Sequence, residues 1–108
     1  MANARTAPSN PDLERVIGVL RRHLPRLRQE YGVKYLGVFG SYISGRRRKG
    51  SDLDLLVEFE EGTLMTFFRF VRLEEQLGEL LGIKVDLVMR TALKPAIGER
   101  ILSEVVAV

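Results

Sequence analysis

Val33-Lys34-Tyr35-Leu36-Gly37-Val38-Phe39-Gly40-Ser41, followed ten residues later by Asp52-Leu53-Asp54-Leu55-Leu56-Val57-Glu58-Phe59, is the part of the chain whose reading decides the fold. The first run, Val33 to Phe39, is apolar and short, as a buried strand is, and it runs straight into a Gly-Ser bend. The second run alternates. In a strand successive side chains point to opposite faces. Leu53, Leu55 and Val57 therefore face a core, and Asp52 and Asp54 share the other side. Strands disfavour Asp, so two carboxylates on one face, roughly 6–7 Å apart along the strand, need a neutralising cation or a solvent-facing edge. Oxygen-only ligands beside a phosphate cradle favour Mg²⁺.

The cradle is Gly40-Ser41. Glycine permits close approach of the backbone, a helical turn after it aims N–H groups outward, and the serine hydroxyl adds a donor. A third strand, Ile83 to Met89, carries Asp86 within Lys84-Val85-Asp86-Leu87-Val88. Beside the Asp52–Asp54 strand it would complete a three-carboxylate, two-metal cluster. One ion would orient a triphosphate and the other would activate a hydroxyl, whose proton Asp86 could accept. The alternative for Asp86 is an edge charge paired with Lys84.

Outward from these strands the elements are helical. Residues 1–9 read as a tail and 10–108 as one domain. Asn10 is placed to cap a helix that starts at Pro11, closes near Gly32 and is kinked or shortened at Pro25. His23 lies off its apolar stripe and reads as solvated. After Glu60-Glu61-Gly62, Thr63 can cap a helix whose apolar face is Leu64, Phe67, Phe68, Val71, Leu77, Leu80 and Leu81, ending at Gly82. By helical phase Phe67 and Phe68 belong to the core, and Met65 and Phe70 are the interface candidates. A last helix lies within Leu93 to Ser103 and begins around Lys94-Pro95. Val105 to Val108 then forms a final short strand or a strip docked on a partner. The expected fold class is α/β (α+β): a small mixed sheet flanked by helices.

Composition narrows the chemistry. The 108 residues contain no Cys and one His, with 45% hydrophobic and 29% charged residues. Disulfide scaffolds, thiolate metal sites and most histidine chemistry are excluded. No apolar run approaches a membrane span and no leader-like segment opens the chain, so a cytoplasmic protein is expected. Residues 1–50 hold 11 Lys/Arg against 3 Asp/Glu, and residues 51–108 hold 6 against 11. A basic first half suits a polyanion or an acidic partner surface. The loop Arg46-Arg47-Arg48-Lys49 is either a grip on phosphate or a solvated turn.

Gly40-Ser41, ten residues, Asp52-x-Asp54 and a later lone Asp86 in a strand together resemble the polymerase-beta-like nucleotidyltransferase superfamily. Tyr35-Leu36-Gly37-Val38-Phe39 and Ser51-Asp52-Leu53-Asp54-Leu55-Leu56-Val57 look like its minimal members, the MNT antitoxins encoded beside HEPN-domain toxins. The resemblance covers about Asn10 to Val108. It implies the polymerase-beta-like nucleotidyltransferase fold, with Asp52, Asp54 and Asp86 as catalytic metal ligands for Mg²⁺. It also implies that Gly40 and Ser41 hold the phosphates of ATP, and that AMP is transferred to a tyrosine hydroxyl of a partner HEPN toxin. Many minimal members carry Arg just before the glycine that corresponds to Gly45, whereas this chain has Ser44; Arg46 or Arg47 can substitute as phosphate ligands. A domain this size has room for the catalytic module alone, so another molecule must present the acceptor. The alternative function is a non-catalytic antitoxin that neutralises its toxin by stoichiometric binding. No membrane partner and no direct nucleic-acid partner are expected, since no reading motif accompanies the basic half; homo-oligomers, or hetero-oligomers with the toxin, fit the chain equally.

Overall fold

A computed structural model describes residues 11–45 and 52–108. The Asn10 cap, Ser51 and the Arg46–Lys49 loop lie outside them. The described elements are helix α1 (Pro11–Tyr31), strand β1 (Val33–Phe39), helical turn α2 (Ser41–Ser44), β2 (Leu53–Phe59), α3 (Phe67–Leu81), β3 (Val85–Met89), a 3₁₀ turn (Arg90–Ala92), α4 (Pro95–Glu104) and β4 (Val106–Ala107). Four strands form one sheet in the order β3-β2-β1-β4. β1 is antiparallel to β2 and β4, and β2 is parallel to β3. The crossover helix α3 is what a parallel neighbour requires.

The core lies between the sheet and the pair α1 and α3. Leu13, Val16, Leu20 and Leu27 of α1 meet Leu73, Leu77 and Leu81 of α3 over Val38, Leu53, Leu55 and Val57. The two helices are antiparallel, and each closes the other's C-terminal end, where backbone carbonyls lack helical partners. Arg15 Nη1 donates to the Leu81 carbonyl at 3.3 Å. Arg69 Nη2 donates to the Glu30 carbonyl at 2.7 Å.

Pro25 does not shorten α1, which continues to Tyr31. Pro25 is on the exposed face, where the carbonyl it leaves without a donor meets water rather than the core. His23 is half-buried, not solvated, and its Nδ1 lies 2.9 Å from the Val19 carbonyl. The cap of α3 is Thr66, not Thr63: its side chain accepts from the Arg69 N–H at 3.2 Å. The inward stripe is narrower than the expected face: Phe70, Leu73, Leu77 and Leu81, at i, i+3 and i+4 spacing, face the core. Phe67, Phe68 and Leu64, expected in the core, are 75, 81 and 80% exposed, whereas Met65 is half-buried and Phe70 packs on the core. The last helix starts at Pro95, where it was expected to begin, after the 3₁₀ turn at Arg90–Ala92. Val105 to Val108 is a strap within the fold. Val106 and Ala107 pair with Val38 and Gly37, and the Val108 N–H donates to the Leu36 carbonyl at 2.9 Å.

The strap shapes β1. A Cβ on Gly37 would lie 2.5 Å from Val105 Cγ2 and 2.8 Å from Tyr35 Oη. Glycine in mid-strand, ordinarily unfavourable, makes room there for Val105.

Candidate active site

Three strand ends meet at one end of the sheet. β1 finishes at Phe39, opposite Asp54 of β2, and Asp54 stands opposite Asp86 of β3. Asp52 immediately precedes β2. Gly40 and Asp54 are 14 positions apart in sequence and Asp54 and Asp86 are 32 apart, yet strand pairing brings them together. Leu53, Leu55 and Val57 are sealed in the core, which leaves Asp54 on the opposite, partly open face. Asp86 is exposed, and among the described residues it forms no ion pair with Lys84.

The carboxylates feel one another. Burial pushes the Asp54 carboxyl above its ordinary 3.8, and repulsion from Asp86 and then Asp52 pushes it in the same direction. A cation placed among them would remove that cost. The donor set is all oxygen, as a hard ion such as Mg²⁺ requires, and no thiol or imidazole competes. As the side chains stand, no three acidic or histidine groups among the described residues close on a common point. Like charges facing one another without a counter-ion favour that spread.

Gly40 serves the site through two constraints. Its backbone has φ +79° and ψ −146°, a region open essentially to glycine alone. Its Cα also packs so tightly against Asp54 that a Cβ would collide with the Asp54 Oδ2. The bend therefore brings bare backbone against the carboxylate. α2 is a single turn whose Ile43 and Ser44 N–H groups both donate to the Gly40 carbonyl, each at 3.0 Å. The cradle expected from free helix-start amides is accordingly narrower, with fewer donors. The Ser41 hydroxyl has no partner among the described residues.

Beside the bend lies a cavity of about 370 Å³, lined by Gly40, Ser41, Ser44, Arg100 and Glu104. Arg46 and Arg47 fall outside the described residues. Three contributors were invisible in the sequence pattern. Arg100 and Glu104 reach the cavity because β4, which follows α4, pairs with the C-terminal half of β1, a placement that no local spacing encodes. Glu74 of α3 accepts the Leu87 N–H at 2.8 Å and ties down the outer edge of β3 next to Asp86.

Residues 20–108 match the model of the nucleotidyltransferase domain family. The chain belongs to that family. The protein adenylyltransferase MntA of Thermococcus cleftensis is 46% identical over 96 residues, spanning 89% of this chain and 95% of that one. A candidate protein adenylyltransferase of Methanocaldococcus jannaschii is 45% identical over 76 residues, 70% of this chain and 76% of its own. A solved candidate minimal nucleotidyltransferase superposes with a TM-score of 0.73 at 39% identity, over 94% of this chain and all of that one. A toxin–antitoxin structure with AMP-PNP shares the fold at TM-score 0.63 and 20% identity, over 91% of this chain and 72% of its own. As a nucleotidyltransferase, the chain has the mixed, helix-flanked sheet of its minimal relatives. None of its described helices is long and apolar enough to cross a membrane.

Proposed function

We propose that this nucleotidyltransferase moves AMP from ATP to a tyrosine hydroxyl of a HEPN-domain toxin and so acts as the toxin's antitoxin. The observation that carries the reading is the Asp54–Asp86 strand register, with Asp52 alongside and Gly40 packed on Asp54. The likeness to MntA supports it.

Asp52, Asp54 and Asp86 would hold Mg²⁺, which when bound screens triphosphate charge and makes a nearby hydroxyl more acidic. Gly40 lets the phosphate chain approach the backbone, and the Ser41 hydroxyl donates to a phosphate oxygen. The acceptor oxygen attacks the α-phosphorus, the bond to the β-phosphate oxygen breaks, and pyrophosphate leaves. Asp86, the most exposed of the strand carboxylates, accepts the hydroxyl proton at its carboxylate oxygen. A small domain with a half-open site admits an acceptor carried by a separate folded protein.

The test is incubation with α-labelled ATP, Mg²⁺ and a purified HEPN-domain toxin. Label should appear on that protein and disappear with Asp52→Asn or Asp54→Asn, both still folded. Labelling that persists in both variants would remove these carboxylates from the reaction. Neutralisation of the toxin that survives Asp52→Asn, with the complex intact, would instead favour occlusion without catalysis.

A further inference from the structure

We propose that Arg100 is a polyphosphate-binding residue of the nucleotide site, reaching it from α4. The proposal rests on the reading of the Gly40–Asp54 bend as a nucleotide site and names a ligand for its phosphates.

The cavity beside the bend is about 370 Å³, within the usual range of about 300–1,000 Å³ for small-molecule sites. One wall is Gly40, Ser41 and Ser44, all of them uncharged; the other is Arg100 and Glu104. Gly40 lines this cavity and also abuts Asp54, so a single backbone bend separates the cavity from the carboxylates. A nucleotide whose α-phosphate lies by the aspartates has its remaining phosphates to place, and this cavity is the adjoining space. Among the described residues that line it, Arg100 is the one cation.

The guanidinium is weakly engaged at rest. Its partner is Glu104, with Nε 4.0 Å from Oε2, and both side chains are open to water. An exposed pair at that length contributes little. Phosphate offers the planar fork a bidentate alternative that a single distant carboxylate oxygen does not. Glu104 thus acts chiefly as a weak competitor with an incoming anion for the guanidinium.

Titrations of wild type and variants with ATP, ADP and AMP in Mg²⁺ buffer test this. Arg100→Ala should weaken ATP binding at least tenfold, ADP less, and AMP about twofold or less. Arg100→Lys should recover part of the loss, because a point charge remains without the fork. Glu104→Gln should tighten ATP binding severalfold. Ser44→Arg, placed on the facing wall, should restore ATP affinity in the Arg100→Ala background. Thermal melts confirm folding, and both altered side chains of α4 are exposed. If wild type binds ATP and Arg100→Ala binds it equally well, the role of Arg100 is overturned and the nucleotide site stands. If Arg100→Ala weakens AMP as much as ATP, the residue does not read the terminal phosphates and the proposal fails. If wild type binds no nucleotide, both readings fall together.

Discussion

At the scale of single residues, Asp54 is held against its own charge. Its folded-state pKa is raised by burial and by Asp86 and Asp52, so the folded protein binds this proton more readily than the unfolded chain. The stabilisation from protonation is complete below the ordinary value of 3.8 and is lost as pH rises through the raised value. Without divalent cations at pH 7, Asp54→Asn should therefore raise Tm, on the order of a few °C. In paired melts the gap between variant and wild type should close as pH falls through the raised pKa; a gap independent of pH would contradict the account. Mg²⁺ should raise the wild-type Tm and leave Asp54→Asn nearly unmoved, by linkage to the folded state. Gly40→Ala should cost about 1–3 kcal/mol through its backbone angles alone, visible as a lower denaturation midpoint. The aspartates and Gly40 were legible in the sequence because strand alternation and the Gly-Ser bend are local patterns. The clash between a Gly40 Cβ and Asp54 was not, since it depends on how two strands pair.

Among elements, β3 is the most dependent on a neighbour. It lies at the sheet's edge, carries Asp86, and has one outward N–H satisfied by Glu74 of α3 at 2.8 Å. Glu74→Ala should cost about 1–3 kcal/mol, as loss of a partner for a part-buried donor does. Glu74→Gln keeps an acceptor and should cost much less. Denaturant midpoints would compare them, and equal effects would mean that the carboxylate matters through its charge instead. Most elements were readable from period and breakers: β1 begins and ends where its apolar run does, and Gly82 closes α3. The α3 start was misread because Thr63 and Thr66 are both competent caps. Choosing between them takes a tertiary fact: Thr63 packs against Gly32 at the head of β1 and is held there. Phe67 and Phe68 open the helix's first turn, off the stripe of Phe70, Leu73, Leu77 and Leu81, and stay exposed.

At the level of the whole molecule, the chain's last residues brace the strand that ends in the site. Val105 occupies the space left by Gly37, and Val108 is hydrogen-bonded to Leu36. Gly37→Ala should dislodge this strap, costing about 1–3 kcal/mol by overpacking. Hydrogen exchange at the Val108 amide should accelerate along with a fall in Tm; protection at that amide unchanged by the substitution would count against the strap. α3 starts at the end of the sheet away from Asp54 and runs back toward it, so the bare Leu64, Phe67 and Phe68 crown the pole opposite the carboxylates. The two poles should answer ammonium sulfate oppositely. Dissolved ions screen attraction between charges, while sulfate strengthens the tendency of apolar groups to leave water. Retention on a phenyl column should climb with the salt, and replacing both phenylalanines by serine should release the protein early in the gradient.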